Sequence, residues 1–239
     1  MQPPVTPAPA GPFSPPAPGP FVAAEQAAVC RAIETRRDVR SQFTDRPVDD
    51  ATLLRLPKAV HHAPSVRLKQ PWNFIVIRSA QVRPQVHTAF ARANTGAVAM
   101  FQADRSALSA SITLQGITGT PMNFCITCDR SRGGPVGLGR THKHDMDLYP
   151  TVCTVRHLWL AARAENIGVG WVGIFHETDL RNSPGLPETV VPVACLCLKD
   201  VDMLYDQPEL QACGRARRLP LADQIVADRW EQTAPETAA

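Results

Sequence analysis

The chain has 239 residues, 44% of them hydrophobic and 20% charged, with a formal net charge of +3, which is enough for one good-sized core and ordinary for a globular protein. So small a positive excess argues against nucleic acid or a membrane surface as the main partner. No run approaches the roughly 18 apolar residues of a membrane-spanning helix.

Residues 1–20 hold nine of the 23 prolines and no Lys or Arg. They lack the basic and apolar regions of a secretory leader, so a disordered, partly polyproline-like tail and a cytoplasmic location are expected. One folding unit over 21–232 and a short disordered tail over 233–239 complete the expected organisation. Seven cysteines, at 30, 125, 128, 153, 195, 197 and 213, sit mostly inside apolar runs and read as reduced core residues. Cys125 and Cys128 match C-x-x-C, but within a strand those positions face opposite ways, which disfavours a redox or zinc role.

Val22 to Thr35 has helical composition, and the basic cluster Arg36-Arg37-Asp38-Val39-Arg40 follows its exit. Such a cluster is either a solvated turn or a phosphate grip. Asp49 and Asp50 cap a helix running from Ala51 to about His62, with Pro57 inside it. Adjacent His61 and His62 face different directions on a helix, so a shared metal is disfavoured. Gln70 to Ile77 reads as a polar loop entering a strand; residues 80–117 carry two helical stretches, and Phe124 to Asp129 gives a second strand. The glycine-rich stretch Gly133 to Arg140 lacks the Lys-Ser/Thr of a P-loop. His142, His144, Asp145 and Asp147 lie in a polar loop with no register to converge them on a metal, and no metal site is expected.

Residues 148–174 organise the chain. Val152, Val155, Leu158, Trp159 and Ala162 recur at helical spacing, Asn166 and Gly168 supply a stop, and Val169 to Ile174 reads as a buried strand. Gly170 and Gly173 leave that strand short of side chains, for close packing or for the approach of a backbone or flat ligand. A short helix over Glu177 to Asn182 and a strand over Val190 to Leu198 follow. A 40-residue arm then ends in a short helix around Leu221 to Trp230. Its Leu219, Leu221, Ile225 and Trp230 need a surface to cover them, and a second subunit would provide one.

Taken in order, RRDVR, HHAPS, QPWNF, LGR, the string around LWLAARAE, and IGVGWV resemble the nitroreductase-like flavoproteins, and among them the flavin-consuming 5,6-dimethylbenzimidazole synthases, over most of residues 28–230. The resemblance implies an α+β fold, an α/β/α sandwich with a mixed central sheet, in an intertwined homodimer that binds FMN at the subunit interface. It implies a flavin-phosphate and ribityl grip at Arg36, Arg37, Asp38, Val39 and Arg40. The loop along the isoalloxazine ring would contain Pro64, Ser65, Arg67, Gln70 and Asn73, and the flavin-edge strand Gly170, Trp171, Val172 and Gly173. The implied reaction takes reduced FMN, supplied by a separate flavin reductase, and fragments it with molecular oxygen to 5,6-dimethylbenzimidazole and erythrose 4-phosphate. Asp38 would take or relay protons in that reaction.

The chain departs from the synthases near the ligand. Gly173 stands where they carry a serine, Arg67 and Lys69 replace a glycine and a serine, Arg156-His157 replaces Gln-Asn, and Pro150 replaces a serine. Gly173 removes a hydroxyl that can donate beside the ring. The readings open on the sequence are therefore three: flavin destruction to dimethylbenzimidazole or a diverted product, a nitroreductase-like oxidoreductase that uses NAD(P)H and keeps its FMN, and a flavin-binding protein that has lost chemistry.

Overall fold

The computed structural model describes residues 19–40, 42–98, 123–134, 141–182 and 185–230. The expected tails over most of 1–20 and over 233–239 lie outside the described residues, as do the second helical stretch expected within 80–117 and most of the glycine-rich loop.

Helix α1, Ala23–Thr35, opens with the Glu25 carboxylate accepting the Val22 backbone N–H at 2.9 Å. Helix α2, Asp50–Val60, is capped by Asp49, whose side chain accepts both the N–H and the hydroxyl of Thr52. It runs on through Pro57 to Val60 because Leu56 and Val60 anchor its inner face in the core. Strand β1 is Trp72–Ile77, α3 is Val82–Val98, β2 is Asn123–Asp129 and α4 is Leu148–Ala164. Strand β3 covers Ile167–Val172, α5 Glu177–Asn182, β4 Val190–Asp200 and α6 Glu209–Ala212.

The four strands form one sheet in the order β1-β2-β4-β3, antiparallel at every pairing. Alternation along β2 and β4 splits the core in two. Phe124, Ile126, Ala194, Leu196 and Leu198 pack with α2 and α4 on one face, while Cys125, Cys195 and Cys197 pack with Val86, Phe90 and Leu180 of α3 and α5 on the other. Both central strands are buried on both faces, which is why they read as continuous apolar runs despite being antiparallel. The result is the α/β/α sandwich expected from the sequence.

Three details differ from the sequence reading. The mixed sheet is antiparallel among the described strands, and its parallel component is a single bridge between Asp38 and Val169. The strand expected from Val169 to Ile174 begins and ends two residues earlier. Asn166 alone makes the left-handed turn, with φ 58°, so Gly168 already belongs to the strand. The helix expected near 221–230 shrinks to a single 3-10 turn at Ala222–Gln224. Leu219, Leu221, Ile225 and Trp230 around it are all exposed, so no burial within the described chain drives a helix there.

Candidate active site

Gly170 fixes where the basic cluster lies. A Cβ at this position would come under 3.0 Å from the Val39 carbonyl oxygen, a contact that no side chain tolerates. With glycine there, the 38–40 backbone lies directly on β3: Val39 N–H donates to Val169 O at 3.0 Å, and Trp171 N–H donates to Asp38 Oδ1 at 2.9 Å. Val39 itself is buried and contributes packing. Gly168 is needed for a second reason, since a side chain there would collide with Val201.

The cluster forms one wall of a cavity of about 570 Å³ lined by Arg36, Arg37, Asp38, Arg40, Arg156 and Arg218, closed by Glu34 and by Tyr205, Pro208 and Glu209 of the C-terminal arm. The five arginines have different duties. Arg37 is spent on carbonyl oxygens, donating to Tyr205 O at 2.8 Å, Glu34 O at 2.7 Å and Arg36 O at 2.8 Å, and also to Asp206 O. It ties the arm to the end of α1. Arg40 bridges Asp38 Oδ2 and Glu209 Oε2, each at 3.0 Å. Arg36 lies over the Trp159 ring, 5.1 Å from its centroid, with its Nε buried and without a hydrogen-bond partner. Burial, and then the charges of Arg156, Arg37 and Arg218, pull the Arg36 pKa down. Among the described lining residues, five guanidiniums against three carboxylates leave an excess of two positive charges. An anion in this cavity relieves that repulsion and supplies the acceptor Arg36 lacks.

Among the described residues, Asp38 is the only aspartate lining this cavity. Burial raises its pKa most; the Trp171 N–H, Arg40 and Arg36 oppose the rise, and Glu209 adds to it. A carboxyl held by one backbone donor and one shared arginine is oriented while its proton affinity stays elevated. Trp159 underlies the group: its indole N–H donates to Arg37 O at 3.0 Å and its ring meets Trp171 edge-on at 6.0 Å.

The loop predicted to lie along a ring system is a separate feature of this chain. Arg67, Leu68 and Gln70 all have positive φ, at 54°, 52° and 49°, a sequence of left-handed residues that costs on the order of 1–3 kcal/mol each. Ser65 Oγ accepts the Gln70 N–H at 3.0 Å. Arg132, to which sequence reasoning gave no role, locks the loop by donating to Gln70 O at 2.6 Å, Trp72 O at 2.9 Å and Asn73 Oδ1 at 2.6 Å. Pro64 and Arg67 are exposed, and Lys69 lies against Gly133. None of Pro64, Ser65, Arg67, Gln70 or Asn73 lines the arginine cavity. Gly173 stands just past the end of β3, exposed, where a side chain would meet nothing closer than the Trp171 Nε1 at 3.7 Å. Val172 is buried below the sheet, opposite in direction to the half-open Trp171.

His142, His144 and Asp145 occupy exposed turns, with Asp145 paired to Arg130 at 2.6 Å, and Asp147 is buried at the start of α4. Cys125 and Cys128 are both buried on β2; burial pushes the Cys125 thiol up to about 12 and raises that of Cys128 as well. No helix among the described residues is long and apolar enough to cross a membrane.

The nitroreductase family model matches residues 33–198. A 5,6-dimethylbenzimidazole synthase of Rhodospirillum rubrum is 32% identical over 77% of this chain and 87% of its own length. One from Rhodobacter capsulatus is 31% identical over 81% of this chain and 93% of its own length. Among solved structures, a nitroreductase with bound FMN from Desulfitobacterium hafniense superposes with a TM-score of 0.60 at 17% identity, covering 83% of this chain and 97% of that one. That last likeness concerns the fold.

Proposed function

The chain belongs to the nitroreductase family, and on that premise we propose that it binds reduced FMN in the arginine-walled cavity and consumes it, with molecular oxygen, as the substrate of a fragmentation that yields 5,6-dimethylbenzimidazole or a diverted flavin-derived product. The relatives named as synthases support this reading. The observation that carries it is Asp38, a carboxyl of raised proton affinity fixed between Trp171 N–H and Arg40 at the edge of a cavity that calls for an anion.

The lining fits a phosphorylated flavin. Arg36, Arg156 and Arg218 line the cavity and carry no carboxylate pair among the described residues, and they are assigned the phosphate; Arg37 and Arg40 shape the wall. Bound reduced flavin supplies the electrons and the carbon skeleton of the product. The protein's part is to hold the phosphate, keep water from the ring, and move protons at Asp38 Oδ2, the oxygen on the Arg40 side.

The reading includes a homodimer. Val29 and Ile33 of helix α1, Phe21 and Val22 just before it, and Leu219, Leu221, Ile225, Val226 and Trp230 of the arm are exposed apolar side chains that a second copy would cover. A second copy would also bring a loop carrying Ser65, Gln70 and Asn73 to a cavity that this chain's own loop does not line. A separate reductase supplying reduced FMN and a cytoplasmic location are part of the same proposal.

Gly173 favours a second reading, an oxidoreductase that uses NAD(P)H and retains its FMN, because glycine contributes no side-chain hydroxyl just past the end of β3. Mixing the protein with pre-reduced FMN in air and resolving the small molecules by mass separates the two. Dimethylbenzimidazole or another flavin fragment, formed in proportion to FMN lost, is the expected result. Intact FMN, together with rapid bleaching of the bound FMN by NADPH alone, refutes the destructive reading, and intact FMN with no oxygen uptake beyond the protein-free rate leaves a binding protein.

A further inference from the structure

We infer that Glu209, carried by the C-terminal arm, is the positioning residue of the Asp38 carboxyl: it takes one side of the Arg40 guanidinium, so that a single positive charge is divided between two carboxylates and Asp38 keeps the capacity to hold and release a proton. The inference rests on Asp38 being the proton-moving group of the proposed reaction. Arg40 Nη2 stands 3.0 Å from Asp38 Oδ2 and Arg40 Nη1 3.0 Å from Glu209 Oε2. An arginine paired with one carboxylate alone holds it firmly ionised. Shared, the same arginine still orients Asp38, while the second carboxylate opposes its ionisation and offsets part of the arginine's effect. Arg40 and Glu209 side chains are 25% and 19% exposed, so solvent screens this three-group array only in part.

The other groups around Asp38 do not substitute for Glu209. Arg36 and Arg37 on the same segment, Arg156 on α4 and Arg218 farther along the arm all line the cavity as cations, and Glu34 closes it from the end of α1. Strand β3 contributes the Trp171 N–H. Glu209 is the carboxylate bonded to the arginine that touches Asp38. Its own seat comes from Arg37, which holds the carbonyls of Tyr205 and Asp206 just ahead of α6. Seating of the arm and the charge state of Asp38 are thereby linked across about 170 residues of chain. The upward shift of Asp38, led by burial with a contribution from Glu209, agrees with this arrangement.

The test uses the full chain without flavin, labelled with ¹³C at its aspartate carboxyl carbons. The Asp38 resonance is assigned by its loss in Asp38→Asn and followed through a pH titration. In Glu209→Gln the Asp38 midpoint is expected to move to lower pH, while Glu209→Asp, which keeps the charge, stays near the parent value. An unmoved or raised midpoint in Glu209→Gln overturns the inference. An equal shift in Glu209→Asp also overturns it, by showing that loosening of the arm and not the divided charge is responsible. The readout needs no turnover, so failure of the flavin-fragmentation reading in the mass experiment leaves this outcome independent; where turnover is found, the acid limb of its pH profile should move with the midpoint.

Discussion

Replacing Gly170 by alanine tests the central geometric claim, that the Asp38 segment is held on β3 because position 170 has no side chain. The added methyl overlaps the Val39 carbonyl oxygen, and the backbone of residues 38–40 has to lift. Overpacking of this kind costs about 1–3 kcal/mol. Lifting also stretches Val39 N–H to Val169 O and Trp171 N–H to Asp38 Oδ1, at 3.0 and 2.9 Å, at about 1 kcal/mol for each bond lost. Alanine regains about 0.5–1 kcal/mol of chain entropy relative to glycine, so the expected net loss is about 2–4 kcal/mol. Urea unfolding measures it: with an m-value of about 2 kcal/mol per molar, the midpoint should fall by about 1–2 M with m unchanged. FMN affinity should fall in the same variant, because the arginine wall is displaced along with Asp38. A change below about 0.5 kcal/mol with full FMN affinity would refute the reasoning, since that is the range of an ordinary surface substitution. Gly173→Ala is the internal control for stability, since an added methyl there makes only ordinary van der Waals contact with the Trp171 side chain, at 3.7 Å.

Gly173→Ser should likewise leave stability within about 0.5 kcal/mol and should raise the rate of flavin consumption, by up to the 10²–10³-fold (about 2.7–4 kcal/mol) that one donor beside a reacting centre contributes; the rate at which flavin fragments form from reduced FMN, followed by mass, measures this. Arg36→Gln should weaken FMN binding at least about tenfold while leaving riboflavin binding nearly unchanged, because a charge-assisted contact to phosphate is worth about 1.5–3 kcal/mol. Arg37→Gln should instead appear mainly in the unfolding midpoint, with a modest effect on FMN titrations followed by flavin fluorescence. Arg132→Leu removes three hydrogen bonds to the 70–73 loop and is expected to destabilise by about 2–3 kcal/mol and to make the loop a preferred site of limited proteolysis. The raised pKa of Asp38 sets a pH dependence: the folded state binds its proton at higher pH than the unfolded chain does, so stability falls as pH rises from the ordinary aspartate range through the folded-state pKa. Urea midpoints compared with Asp38→Asn across that window should show the parent losing ground as pH rises, and a flat difference would contradict the assignment.

Period and punctuation made most of the fold legible. Helical spacing within 151–166, the left-handed turn at Asn166 and the apolar runs at 124–129 and 190–198 specify elements whose identity local chemistry decides, and the structure extends those runs to 123–129 and 190–200. The limits appear where local signals compete. Two candidate stops at Asn166 and Gly168 displaced the expected strand by two residues, because only packing against Val201 shows that Gly168 is a strand residue. The apolar residues between 219 and 230 predict a helix by spacing, yet a helix there requires a surface that the described chain does not provide.

The site divides in the same way. Charge and missing side chains are properties of sequence itself, so the basic cluster RRDVR and the glycine-spaced strand IGVGWV are visible separately, and the family resemblance is what implies that they serve one ligand. Which arginines are free for a ligand is a property of the folded chain. Arg37 is consumed by carbonyls some 168 residues away and Arg40 by Glu209, whereas Arg156 and Arg218 join Arg36 at the cavity from elements distant in sequence. Arg132 carries no motif at all, and its three acceptors lie about 60 residues upstream. Sequence determined the elements, the glycines and the kind of charge the site carries; tertiary structure decided which charges are spent and which remain, because hydrogen-bond partners at such separations are chosen only when the chain closes on itself.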